Sequence, residues 1–569
     1  MNNTNNGVEL FDPQKDYKKS HIVSIVIPES VTTIGDNAFS WCESLESIII
    51  PDGITTISKS TFSECKSLKS VTIPESVTTI GEQAFSGCKS LESIIIPESV
   101  TTIGNGAFEY CESLKSFTIP ESVTAIGFRV FADCKLLKSI VIPESVTTIG
   151  EQAFDNCESF ESFIIPENVT TICNLAFSGC KSLKSIVIPE SISTIDEWTF
   201  GHCASLESIV IPESVTTIGN YAFCGCKSLK SITIPESVTT IGDNAFSWCE
   251  SLESIVIPEG VTTIGDDAFL RCESLESIVI PESVTTIGGD AFANCKSLKS
   301  IVIPDSVKDI GKGAFWECES LESITIPDGV TTIHEYTFYG CKSLKSIIIP
   351  DSVKSLEDKA FEGCLSLEYV FLLGKVKIDR KKIGKNSSSL KFVNIPKGLN
   401  KKDIKAFCER TSLKTITIPA GTKEIHKGCF EGCTSLESID IPDSVTNIGQ
   451  SAFKGCISLK SIVIPENVKE IKQSTFENCS SLESVSIPIG LEEIKDRAFK
   501  NCTSLEEIYL PYHLDDIAEN AFDGCHIKKY QVMNLFGSEF TFRYGIVGNL
   551  LRFIFIAVFI AVLIWIFNQ

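Results

Sequence analysis

Apolar side chains along most of this chain return to fixed places every 23 residues, with polar positions held between them. The unit from Cys226 to Cys249 shows the pattern: Leu229, Ile232, Ile234, Val238, Ile241, Ala245, Phe246 and Cys249 are its apolar marks, and Pro235 and Gly242 punctuate it. Leu229, Ile232 and Ile234 follow L-x-x-I-x-I, whose last three residues alternate inward, outward, inward as a strand requires. Pro235 cannot donate to a strand ladder and fixes its own φ, so the strand is expected to end there. Val238 and Ile241 then take the chain round a corner, with Gly242 admitting a bend that a Cβ would resist. Ala245, Phe246 and Cys249 have the spacing of a short helical or 3₁₀ return. One coil buries too little apolar surface to offset the entropy of ordering its own backbone, so coils must stack and share a core.

The period settles the architecture before any propensity argument. Of the 22 prolines, all except Pro13 lie on the 23-residue register, and Leu373 takes the place of one. Expected is a repeat solenoid of about 22 coils over residues 21–533, each a parallel strand with a short helical or 3₁₀ return. A polar tail (1–20), a linker (534–545) and a transmembrane helix (546–567) complete the chain. Pro235, Phe246 and Cys249 represent its structural ladders.

L-x-x-I-x-I-P-x-x-V-x-x-I-G-x-x-A-F-x-x-C resembles the Treponema pallidum-type leucine-rich repeat of BspA-like proteins, over roughly residues 22–527. Leu229, Ile232, Ile234, Pro235, Val238, Ile241, Gly242, Ala245, Phe246 and Cys249 match it position for position. The resemblance implies a parallel solenoid and, in many relatives, surface adhesion or host interaction. These residues are packing residues, so they carry the fold rather than the function.

Exposed columns carry the rest. Five residues before each proline position, from Glu46 to Glu506, all 21 residues are charged, and 16 of the 20 neighbouring pairs are opposite in sign. Stacking sets these side chains next to one another, so alternation makes a column of ion pairs. A column of serines (Ser47, Ser70, Ser93, Ser116) and one of mostly β-branched residues (Ile49, Thr72, Ile95, Thr118, Val141) share the expected strand face. They fit an extended binding surface, and equally the β-propensity of an exposed sheet. Twenty of the 24 cysteines occupy one register position. Their only neighbours are identical cysteines one coil away, at a spacing long for a bridge, so buried free thiols are expected.

Net charge is -23, which argues against nucleic acid as a partner. Residues 365–428 keep the count but lose the pattern. Between Lys375 and Lys405 stand 11 basic and two acidic residues. Two readings follow: decayed repeats, or a basic partner-binding site built on Lys375, Lys377, Lys381, Lys382 and Lys385. Residues 546–567 are apolar except for Asn549 and Arg552, long enough to span a bilayer; a buried cap helix and a glycolipid-anchor signal are the alternatives.

No nucleotide-binding or nucleophile-elbow motif occurs. The six histidines are scattered without partners at ligand spacing, so no catalytic group, metal or cofactor is expected. The reading is a non-enzyme, a membrane-anchored protein with a multivalent protein-binding surface, displayed at the cell surface as the resemblance implies. The alternative is a cytosol-facing, tail-anchored scaffold. No secretory signal is seen in residues 1–20, the basic residues Lys528, Lys529, Arg543 and Arg552 precede the span, and the unpaired cysteines suit a reducing compartment.

Overall fold

The computed structural model describes residues 23–373, 391–394, 413–511, 513–514, 516–533 and 539–543. They fall into two compact units, one up to Gly329 and one from Val330 onward. Each is a parallel β-solenoid, with about twenty turns in all.

In the first unit the expected strands are present as three-residue segments such as Ser185–Val187, Ser208–Val210, Ser254–Val256 and Ser277–Val279. They pair in parallel, each residue opposite its equivalent 23 positions on, as in Ser185↔Ser208 and Val187↔Val210. The middle residue points inward and the flanking two face out. In-register stacking follows from the period itself, because a slip by one residue would turn the buried isoleucines out to solvent.

Most described coils have a second strand where the sequence suggests only a corner; at Ile34 only a single bridge, to Ile57, forms. Thr217–Ile218, Thr240–Ile241 and Thr263–Ile264 are two-residue strands with the isoleucine buried. They too stack in parallel register, Thr217 on Thr240.

The return is not helical, and no helix occurs among the described residues. Alternate amides leave the coil. The N–H groups of Asn244, Phe246 and Trp248 donate to the carbonyls of Asp266, Ala268 and Leu270 in the next coil, at 2.8, 2.9 and 2.7 Å. Those of Ala245, Ser247 and Cys249 close tight turns on Gly242, Asn244 and Phe246. A helix would need every amide for its own turn. Asn244 (φ 57°) and Trp248 (φ 60°) are also left-handed, a conformation foreign to a right-handed helix.

Between these segments lies a continuous core in which Leu252, Ile255, Val238, Ile241, Ala245, Phe246 and Cys249 are buried. The phenylalanines form a stack: Phe246 lies 5.4 Å from Phe223 and 5.5 Å from Phe269, tilted by 5° and 4°. Gly242 answers to close approach rather than to a bend. A Cβ there would meet Asn220 Oδ1 at 2.4 Å and the Asn220 amide at 2.7 Å, in the preceding coil.

In the second unit Ser346–Ile349, Tyr369–Leu372, Phe392–Asn394, Thr415–Thr417 and Ser438–Asp440 form one parallel sheet. The strand register therefore continues across the stretch where the repeat pattern weakens. Further on, Lys529–Met533 pairs in parallel with Glu507–Pro511, Glu507 opposite Lys529, an offset one residue short of the period. Glu539–Arg543 then pairs antiparallel with Lys529–Met533.

Candidate binding face of the repeats

The strand face of the first unit is built of outward columns that repeat from coil to coil. The proline ends each strand, and Val238 N–H closes the turn on Pro235 C=O at 3.0 Å. Two outward columns result. Serines from Ser47 to Ser323 fill one, and the other holds Ile95, Ile164, Val210 and Val302, exposed to 83, 81, 74 and 77%. The charged column borders them. Lys69–Glu46, Lys115–Glu92, Lys184–Glu161 and Lys299–Glu276 are ion pairs between neighbouring coils at 2.9, 2.6, 3.2 and 3.1 Å. All of these side chains are about half exposed or more, so each pair adds at most ~1 kcal/mol.

A second ion-pair column escaped the sequence reading. Three residues ahead of the first, Lys66–Glu43, Lys89–Glu112, Lys227–Glu250 and Lys296–Glu273 pair at 2.8–2.9 Å. Its alternation is interrupted, as by Ala204 and Leu365, which hid it. Aromatic residues stand along the turns: Trp198 stacks on Tyr221 at 4.4 Å, and Arg271 lies over Trp248 at 4.2 Å.

The cysteines do more than fill space. Cys249 Sγ–H donates to Phe223 C=O at 3.3 Å, and the same bond recurs from Cys65 to Cys525 at 3.0–3.4 Å. Phe223 C=O also accepts the N–H of Cys226 at 3.2 Å, so the thiol occupies the carbonyl's second acceptor position. None of the described cysteines is in a disulfide, and among them only Cys173 and Cys525 are part exposed. Burial pushes the thiols of Cys203 and Cys318 up to about 12. Such thiols are inert as nucleophiles.

Serines stitch the coils on another side. Ser237 Oγ–H donates to Val215 C=O at 2.6 Å, with Ser283 and Ser306 placed alike at 2.7 Å. Among the described residues no group of three or more His, Cys, Asp or Glu side chains is placed to hold a metal ion. Lys375, Lys377, Lys381, Lys382 and Lys385 lie outside the described residues, as do residues 546–567. No helix among the described residues is long and apolar enough to cross a membrane.

A family model described as BspA type leucine rich repeat region matches residues 13–138, 102–220, 126–249, 198–322, 308–437 and 423–539. Among solved structures, the chain is similar to a leucine-rich repeat protein from Bacteroides ovatus, at 27% identity over 74% of this chain and 92% of that one, TM-score 0.35. It is similar also to a leucine rich cell surface protein from Faecalibacterium prausnitzii, at 30% identity over 67% and 89%, TM-score 0.31. The leucine rich repeat protein of T. pallidum is 22% identical over 52% and 83%, TM-score 0.21. Among curated proteins none matches.

Proposed function

The chain belongs to the BspA-type leucine-rich-repeat family, and from that premise we propose that it is a membrane-anchored protein presenting a multivalent protein-binding surface outside the cell. The observation that carries this reading is the strand face of the first unit, where the same serine and β-branched pattern is exposed coil after coil. A largely apolar β-branched column, interrupted by Thr72, Thr118 and Thr233 and bordered by charge, suits a contact surface. Each coil contributes a weak contact, and repetition raises the total through effective concentration. The apolar stretch 546–567 supplies the anchor. The family's fold is a repeat scaffold, and binding rather than catalysis is the role proposed for it here.

A cytosol-facing scaffold is the second reading. It is favoured by one observation: the described cysteines form no disulfide, which fits a reducing compartment.

Two measurements on the full chain test the proposal. An N-terminal tag on intact cells should be reached by antibody without permeabilisation; access only after permeabilisation favours the scaffold. Detergent-solubilised protein should bind cells or matrix proteins with an avidity that falls as repeats are removed. Absence of binding to either refutes the adhesive reading.

A further inference from the structure

The charge pattern points to a partner for the strand face of the first unit: we infer that it docks on the same face of a second copy of this chain. The inference rests on the reading of that face as a contact surface.

Two irregularities mark the charged column. From Glu46 to Glu322 the charged column alternates except where Lys115 neighbours Lys138 and Glu253 neighbours Glu276. A strictly alternating column would complement its own reverse at every odd offset and so prefer none. These two breaks are opposite in sign, and they stand equally far from the point between Lys184 and Glu207. Reversed about that point, the column sets Lys115 and Lys138 against Glu276 and Glu253, and Lys184 against Glu207. The three remaining pairs between Lys69 and Glu322 are opposite in sign as well. Sliding by two coils either way brings Glu92 onto Glu253 or Lys138 onto Lys299. The breaks therefore select one offset out of many. A different protein would give this column no reason to mirror itself.

The fold lets the pattern be read in that way. Strands in this face stack in parallel, equivalent residue on equivalent residue. A twofold axis along the strand direction keeps the strands of two copies parallel and reverses the order of their coils. Charged column then meets charged column, and the β-branched column meets itself, Val187 against Val210 and Val141 against Val256. These valines are exposed to 64, 74, 59 and 61%. Lys184 and Glu161 form an ion pair within the chain, yet remain 57% and 74% exposed, so they are open to a second charge. Twelve coils from Lys69 to Glu322 at ~4.8 Å, and ~12 Å across the outward columns, cover ~700 Å² per copy. Doubled, that lies within the range of specific interfaces. The same patch on both subunits is what a twofold interface requires.

Sedimentation equilibrium of the full chain in density-matched detergent tests this. The wild type should dimerise, more weakly at high salt. Lys184→Glu sets glutamate against glutamate twice across the axis, and the dissociation constant should rise roughly tenfold or more. Adding Glu207→Lys restores opposite charges across the axis and should restore the dimer. Both variants leave the same number of like-charged neighbours within the chain, so restoration cannot come from the intramolecular column. A monomer at all concentrations overturns the inference, as does a dimer that Lys184→Glu leaves unchanged. A monomer that still binds matrix proteins refutes the self-docking and leaves the proposed function standing. Loss and rescue of the dimer support the self-docking whatever cells and matrix proteins do.

Discussion

Replacing Cys249 separates two accounts of the cysteine column. As a small apolar residue, Cys249 would be replaced better by alanine than by serine, whose hydroxyl is costly to bury. As a donor to Phe223 C=O, it should be replaced better by serine. Alanine removes the thiol hydrogen bond, about 1 kcal/mol net, and the packing of one buried heavy atom, about 1 kcal/mol more. The local opening free energy should therefore fall by about 2 kcal/mol, a roughly 30-fold loss of protection. Serine keeps a donor on a shorter bond and loses mainly the sulfur's contacts, about 1 kcal/mol or roughly fivefold. Hydrogen exchange by mass spectrometry on peptides spanning 223–249 is the suitable assay, because a long repeat array need not unfold in one step. Greater loss of protection in Cys249→Ser than in Cys249→Ala would refute the donor role.

With Cys408, which lies outside the described residues, replaced by serine, thiol labelling of the native protein at pH 8 should modify Cys173 and Cys525 quickly and the other cysteines only after unfolding. A thiol held at about 12 is ionised in about one molecule in ten thousand at that pH, and rapid labelling of most cysteines would contradict the burial. Phe246→Ala should cost about 3–5 kcal/mol and Phe246→Leu roughly 1, read as protection lost in the coils on either side. Gly225 is left-handed (φ 74°), and a Cβ there would meet His202 Nδ1 at 2.6 Å. Gly225→Ala should cost about 1–2 kcal/mol for the backbone plus the clash, and His202→Ala should relieve the clash alone in a double-mutant cycle. Single ion pairs such as Lys69–Glu46 should contribute no more than ~1 kcal/mol in the same kind of cycle.

The 23-residue period made the stacking, the inward columns and the proline stop legible, because each rests on residue types that recur without a gap. Ser254–Val256 and its equivalents lie where L-x-x-I-x-I placed them. The second strand was hidden because Thr240–Ile241 offers one buried residue, too short a run to show alternation. The return was misread for a related reason. Ala245, Phe246 and Cys249 have helical spacing, while the decisive features are amides bonded to the next coil and left-handed residues. Those left-handed places are filled by Asn244 and Trp248 as readily as by Gly225, so composition does not mark them. The thiol bond was invisible because a buried cysteine reads as a small apolar residue until its carbonyl neighbour is placed. Of the surface, the serine, β-branched and first charged columns were legible from alternation alone.

The exposed strand column is where binding is expected to reside. Ile164→Asp, Val210→Asp and Val256→Asp, introduced together, place charges on every second coil of the exposed column without touching the core. Asp440 already occupies the equivalent position in the second unit, so the strand accepts the residue. Binding of the full-length variant to the cells or matrix proteins that the wild type binds is then compared at equal surface density. Circular dichroism should be unchanged and binding should fall at least about tenfold. Binding equal to wild type, with the charges in place on a folded protein, would contradict it.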